Sequence, residues 1–107
     1  MATIPKREIA DHIAETTGIS KTMAQDIVQE LFDYMIEELA KGNRFEIREF
    51  GVFESVIRKP RIANIVSKNQ RVTLPSRATV IFKPGKRMKE SLARAFQIGD
   101  FQNGRKT

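Results

Sequence analysis

The residues with the clearest chemical character are ten lysines and arginines between positions 55 and 89, a stretch without a single Asp or Glu. They are Arg58, Lys59, Arg61, Lys68, Arg71, Arg77, Lys83, Lys86, Arg87 and Lys89. Like charges at this density repel one another unless anions lie between them, and phosphate groups are suitable anions. The alternative is a solvated, charge-rich face, which is the usual role of a charge run. The stretch therefore favours a polyanionic partner.

The first 54 residues have the opposite balance, with 6 basic and 11 acidic side chains. The whole chain of 107 residues has a formal net charge of +6, a total that conceals how strongly its two parts differ. Many of the acidic side chains recur on the outer face of a predicted helix, between Asp26 and Glu38. We therefore expect them to face solvent and to point away from the basic stretch.

The sequence lacks the patterns of an enzyme or a metal site. It has no Cys, and His12 is its only His, so a thiolate site and a His-rich site are both excluded. A phosphate-binding loop of the Gly-x-x-x-x-Gly-Lys type would need a glycine where Val80 stands. His12 lies between apolar positions of a predicted helix, and we expect it at the surface. We expect no catalysis, no cofactor and no metal.

Composition and hydropathy indicate where the protein works. The chain is 40% hydrophobic and 30% charged, as expected of an ordinary soluble domain. No apolar run approaches the length of a membrane span, and Met1 to Pro5 lacks the apolar stretch of a signal peptide. We therefore expect a cytoplasmic protein without a membrane partner.

Helical periodicity predicts two helices in the first 41 residues. Thr3 is expected to cap the first, with Pro5 in its first turn and Gly18 just past its end. Ser20 is expected to cap the second, whose broad apolar stripe spans residues 24–39. So few strands follow that the stripe favours two copies sharing one core. The alternative is a monomer whose own sheet covers the stripe.

The second half of the chain changes to a period of two, which predicts strands. The predicted segments are a short strand around Phe45 and Ile47, hairpin legs at Val56 to Ile62 and Arg71 to Leu74 separated by a turn from Ala63 to Gln70, a strand from Ala78 to Phe82, and a helix from Lys86 to Gln97. This order predicts an α+β fold with a small antiparallel sheet. Residues 1–98 are expected to form one domain, followed by a mobile tail at 99–107.

Three collinear segments resemble one protein family. Phe50-Gly51-Val52-Phe53 is similar to a Gly-Phe-Gly-x-Phe element, with Glu49 where the first glycine is usual. Arg58-Lys59-Pro60-Arg61 is similar to the start of a DNA-binding arm, and Phe82-Lys83-Pro84-Gly85-Lys86 to a strand-to-helix junction. Together they resemble the HU and integration host factor family of bacterial DNA-bending proteins, over roughly residues 6–93.

The resemblance implies an intertwined dimer with a helical body and extended two-stranded β-arms, here at about residues 55–76, that enter the DNA minor groove. A homodimer and a heterodimer with a paralogue are both open. The residues implied for the arm are Arg58, Lys59, Arg61, Asn64, Lys68, Arg71 and Arg77. Those implied for a phosphate clamp on the body are Lys6, Lys83, Lys86, Arg87 and Lys89.

The arm tip departs from the family pattern. The family carries an Asn-Pro pair whose proline wedges between base pairs, and gapless alignment places Ile65 and Val66 there. An aliphatic side chain can also partly unstack a base step. The alternative is that both residues belong to the strand of a shifted hairpin turn. DNA binding is therefore expected, whereas sharp bending stays open.

The expected function is that of an architectural, largely sequence-nonspecific binder of duplex DNA in the nucleoid, which compacts the chromosome. One alternative is an RNA-binding or ribosome-associated protein, which would favour exposed aromatic side chains on its strands. The basic stretch contains a single aromatic residue, Phe82, which argues against it. A second alternative is a helix-turn-helix regulator over Ile4 to Lys41. Its second helix would be unusually long, and the acidic outer face of that helix would repel phosphate.

Overall fold

The computed structural model describes residues 2–99, so the predicted tail lies outside the described residues except for Gly99. The elements in chain order are α1 (Lys6–Thr17), α2 (Lys21–Ala40), β1 (Phe45–Ile47), β2 (Gly51–Arg58), β3 (Arg61–Ile65), a 3-10 turn (Val66–Lys68), β4 (Gln70–Leu74), β5 (Arg77–Pro84) and α3 (Lys86–Gln97). The predicted α+β class, with a C-terminal helix and small antiparallel sheets, is confirmed. No helix among residues 2–99 is long and apolar enough to cross a bilayer.

Helix α1 begins later than the sequence predicts. Its N-cap is Pro5, whose carbonyl oxygen accepts the backbone N–H of Glu8 at 3.0 Å. The prediction that Thr3 caps this helix is wrong, because a residue before proline is driven into extended backbone and Ile4 cannot open a helix. The predicted end is confirmed: Gly18 takes a left-handed conformation at φ 80°, and its N–H donates to the Ala14 carbonyl.

Helix α2 has the N-cap that its sequence predicts. The Ser20 hydroxyl accepts the Met23 N–H at 3.1 Å, which satisfies one of the free donors of the first turn. At the other end the Lys41 ammonium and the Asn43 amide hydrogen-bond the Glu38 carboxylate at 2.9 and 3.0 Å. These two hydrogen bonds, Lys41 first, lower the pKa of Glu38.

The core of the single chain is small and lies between the two helices. Among the described residues, four side chains are buried: Ala10, Ala14, Ala24 and Val28. Much of the α2 stripe remains exposed; Ile27 and Leu31 are both 51% exposed. The sheet of this chain therefore leaves a large part of the apolar face of α2 uncovered.

The three-stranded sheet has the order β1-β2-β5, with antiparallel neighbours. Phe45, Phe53 and Phe82 are in register across it, and the rings of Phe53 and Phe82 lie 4.7 Å apart. This face packs towards α2, because the Ser55 hydroxyl donates to the Leu39 carbonyl at 2.5 Å.

Beyond this sheet the chain continues as a two-stranded ribbon of β3 and β4. The sequence predicted one unbroken leg from Val56 to Ile62, but the leg is interrupted at Lys59-Pro60. The return leg is interrupted at the same level, at Pro75-Ser76, between the Arg61↔Leu74 pair of the ribbon and the Arg58↔Arg77 pair of the sheet. Proline has no N–H to donate, so neither leg continues its ladder of hydrogen bonds here.

The turn at the end of the ribbon is shorter than predicted. Ala63 pairs with Val72 and Ile65 pairs with Gln70, so both ends of the predicted Ala63 to Gln70 turn are strand. The connection is the 3-10 turn followed by Asn69, whose φ of 49° is left-handed. Asparagine tolerates this conformation better than most residues, which explains its position here.

Candidate nucleic-acid interface

Four cationic side chains meet at the neck of the ribbon, where the three-stranded sheet ends. Arg58 and Arg77 face one another as the last pair of the sheet, and Arg61 opens the ribbon. Together with Lys59 they line a cleft of about 210 Å³. None of the four forms an ion pair within residues 2–99. A phosphate group at this cleft would be attracted by all four charges.

The two faces of the ribbon differ in chemistry. Asn64 lies opposite Arg71 in the register, and both side chains are exposed on one face. The other face carries the half-buried Ala63 and Val72, directly opposite one another. Amide and guanidinium groups can donate to the acceptor atoms that line the floor of the DNA minor groove. In the middle of the ribbon such groups therefore lie on the face of Asn64 and Arg71, while Arg61 and Gln70, at its two ends, belong to the other face.

The residues predicted for the tip have different positions. Ile65 is the last residue of β3 and is half-buried, on the same face as Ala63, whereas Val66 opens the 3-10 turn. Lys68 lies in the turn and is exposed. The placement of Ile65 agrees with the shifted turn that the sequence left open as an alternative.

Three of the predicted clamp residues lie in the first turn of α3. Lys86, Arg87 and Lys89 are all exposed, and Gly85 is the N-cap before them. Gly85 donates its N–H to the Phe50 carbonyl at 2.8 Å, and an added Cβ would approach backbone atoms to 3.0 Å, so only glycine fits without a shift. Cations at a helix N-terminus oppose the helix dipole. An anion here would compensate both the side-chain charges and the dipole.

Lys83 has a partner that the sequence did not reveal. Its ammonium lies 3.3 Å from one oxygen of Glu54, whose other oxygen is 3.0 Å from the Arg44 guanidinium. Arg44 also pairs with Glu46 at 2.9 Å. Sequence reasoning missed the pair because Glu54 lies one residue before the basic stretch, and antiparallel pairing of β2 with β5 brings it beside Lys83. A correct prediction of the pairing register between β2 and β5 would have revealed this ion pair.

Lys6 is on a different element from the other predicted clamp residues, as the first residue of α1. Its ammonium donates to the side-chain oxygen of Gln29 on α2. Gln29 in turn donates its amide N–H to Asp33 at 2.8 Å. No hydrogen bond or ion pair joins Lys6 to the first turn of α3 within residues 2–99. His12, as expected, is exposed, with its Nε2 3.4 Å from the Thr16 hydroxyl.

Comparisons with known proteins agree with this arrangement. A probable DNA-binding protein HU of Chlamydia pneumoniae is 37% identical over 90 residues, which cover 83% of this chain and 90% of the relative. Integration host factor subunit beta of Vibrio parahaemolyticus is 34% identical over 86 residues, 79% of this chain and 92% of the relative. The Anabaena HU–DNA cocrystal structure superposes with a TM-score of 0.79 at 28% identity, covering 84% of this chain and 98% of that one.

The match extends to a family model. The model described as "Bacterial DNA-binding protein" matches residues 4–93, which include α1, both sheets and the first two turns of α3. The resemblance seen in the sequence is thereby confirmed. This chain belongs to the bacterial DNA-binding protein family that includes HU and integration host factor.

Proposed function

We propose that this protein is an architectural, largely sequence-nonspecific binder of duplex DNA that inserts its β-ribbon into the minor groove. The observation that carries the proposal is the neck cleft, where Arg58, Lys59, Arg61 and Arg77 converge without an acidic partner among the described residues. The ribbon beyond it is thin enough for a minor groove about 6 Å wide once the groove is opened. Base edges in that groove are degenerate, so selectivity between sequences is low.

The protein acts as a dimer. The exposed part of the α2 stripe supports this, as does a mainly apolar groove of about 570 Å³ between the end of α2 and the sheet. Ile36 and Leu39 line it from the helix, and Val56 and Val80 from the sheet. A second chain that fills this groove would complete a core that four small side chains alone provide poorly. A homodimer is the simplest form, and a paralogue is the other possible partner.

The arms and the body contribute different contacts to DNA. Arg58, Arg61 and Arg71 of the arm are assigned to the groove, together with the other predicted arm cations. The predicted clamp residues on the body are assigned to phosphates of the flanking duplex. If about four to six cations per subunit contact phosphate, affinity falls by orders of magnitude between about 50 and 200 mM salt, because counterions are released.

Members of this family are structural DNA-binding proteins and not enzymes. We assign the protein to the nucleoid, where it compacts and shapes the chromosome. We expect the tip to be a weaker wedge than an Asn-Pro pair, because Ile65 is part of strand β3 and Val66 lacks the rigid ring of proline. The RNA-binding alternative finds no support, since the ribbon from Arg61 to Leu74 has no aromatic side chain on which a base could stack.

A titration by gel shift tests the proposal. The protein is titrated against linear duplex DNA, nicked duplex DNA and duplex RNA of the same length, each at two salt concentrations. We expect stronger binding to DNA than to RNA and a steep loss with salt. Preference for the nicked duplex would show that the arms kink DNA. Stronger binding to RNA would overturn the proposal.

A further inference from the structure

The amide of Gln29 is held at both ends. Its oxygen accepts from the Lys6 ammonium, and its nitrogen donates to Asp33 at 2.8 Å. An ammonium group can only donate and an ionised carboxylate can only accept, so the amide has a single orientation that satisfies both neighbours. Asp33 follows Gln29 by one helical turn, which places the two side chains on the same face of α2.

The hydrogen-bond partner of Lys6 is therefore neutral, whereas two other lysines of the body, Lys83 and Lys41, have carboxylate partners. Lys83 is 3.3 Å from the Glu54 carboxylate, and Lys41 is 2.9 Å from the Glu38 carboxylate. A lysine held by a carboxylate has its charge compensated before any phosphate arrives. A lysine held by an amide loses freedom of movement but keeps its full charge.

No charged group among the described residues forms an ion pair with Lys6, which agrees with the conclusion that its charge is not compensated. Lys6, Arg7, Asp26 and Gln29 line a groove of about 330 Å³ between α1 and α2. Asp26 is the acidic residue that lines this groove, and it forms no ion pair with Lys6 within 4 Å. Asp33 bonds the amide nitrogen of Gln29 and forms no ion pair with Lys6 within 4 Å.

We propose that Gln29 is a positioning residue for DNA binding. It holds the Lys6 ammonium in place for a phosphate of the flanking duplex, and Asp33 fixes the orientation of the amide. This inference rests on the proposed function, which assigns Lys6 to phosphate. The arrangement gives a preoriented cation that has no ion pair to break when DNA binds.

The test compares two duplexes by fluorescence anisotropy with the full-length protein. One duplex spans only the arms, and a longer one has flanks that reach the body. Gln29→Ala should weaken binding to the longer duplex about threefold, because Lys6 regains rotamer freedom, and should leave the short duplex unaffected. Gln29→Glu should reduce the salt slope by about one per subunit, because the new carboxylate compensates Lys6.

The matched control is Gln25→Ala, which removes the same side chain one turn earlier on α2 in the same groove. It should leave both affinities unchanged. Thermal unfolding of each variant establishes that the fold is intact. A merely structural role of Gln29 would change the melting temperature and both affinities equally.

Lys6→Ala separates failure of this inference from failure of the proposed function. If Lys6→Ala leaves affinity for the longer duplex unchanged, the clamp itself is wrong. If Lys6→Ala weakens binding, Gln29→Ala should add nothing in the double variant, because its effect acts through Lys6. Additive losses, or a Gln29→Ala variant that binds normally, would overturn the positioning role.

Discussion

The arm and the body both carry many cations, but the two regions differ in how many of these cations are paired with carboxylates. In the body, Lys41, Arg44 and Lys83 each have a carboxylate within 3.3 Å. At the neck of the arm, four cations share one cleft without an acidic partner in the described part of the chain. Three cations of the body are thus paired with carboxylates before DNA arrives, whereas none of the four at the neck is paired within residues 2–99. Each neck cation should therefore contribute more electrostatic free energy to DNA binding than each of these three paired cations.

The largest effect should follow from removing two arm cations. Arg58→Ala combined with Arg61→Ala should weaken binding by about 10- to 100-fold at moderate salt, equally for unrelated sequences, because phosphate contacts carry no sequence information. Anisotropy titrations on two duplexes of different sequence measure this. Lys21→Ala, which removes an exposed cation at the start of α2, is the control and should have little effect. If the double variant binds DNA with normal affinity, Arg58 and Arg61 do not contribute to DNA binding and the prediction is wrong.

A second substitution examines the outer end of the arm. Val66→Pro should increase DNA bending, because the ring would add a rigid apolar wedge, and proline is tolerated at the first position of a helical turn. Energy transfer between dyes at the two ends of a duplex reports the bend. Ser67→Ala, in the same turn, is the control. An unchanged bend would mean that the tip does not enter the base stack.

A third prediction concerns the charge balance of the body. Glu54→Gln should strengthen DNA binding about two- to fivefold at low salt, because Lys83 then loses its carboxylate and keeps its full charge. Affinity measured at two salt concentrations checks this, and the gain should shrink at the higher one. Glu30→Gln, which removes one exposed charge from α2, controls for net charge. Equal gains in both variants would mean that only the total charge matters.

The smallest effect concerns the turns of the two regions. Glu49, before β2, has a φ of 68°, and Asn69, in the arm, has a φ of 49°. Glu49→Gly should stabilise the protein by about 0.5–1 kcal/mol, because it relieves a left-handed conformation that glutamate tolerates poorly. Asn69→Gly should change stability by less, because asparagine accepts this conformation. Denaturant unfolding at equal protein concentration measures both, and equal shifts would contradict this distinction.

Local signals were enough to predict the helices. The Ser20 cap and the left-handed Gly18 are where the sequence placed them, and α3 has its predicted bounds of Lys86 and Gln97. Caps and periodicity act over a few residues, so they can be read without knowing what packs against the helix. The misplaced start of α1 is also a local matter, since the restriction that Pro5 imposes on Ile4 outweighed the capping preference of Thr3.

Contacts between distant residues could not be predicted in the same way. Pro60 is visible in the sequence, but its position beside the break at Pro75 depends on the register of the hairpin. The same register brings Glu54 to Lys83. Lys6 and Gln29 are 23 positions apart and meet only because α1 packs on α2. The sequence therefore predicted which residues carry charge. Their hydrogen-bond and ion-pair partners could be identified only from the folded structure.

The facing breaks at Pro60 and Pro75 have a mechanical consequence. A ribbon that lacks ladder hydrogen bonds on both legs at one level has its lowest bending stiffness there. Motion of the outer ribbon is then absorbed at this joint and does not distort the three-stranded sheet below it. We therefore expect the arm to follow duplexes of different curvature, so that one protein fits straight, bent and nicked DNA without refolding of the three-stranded sheet.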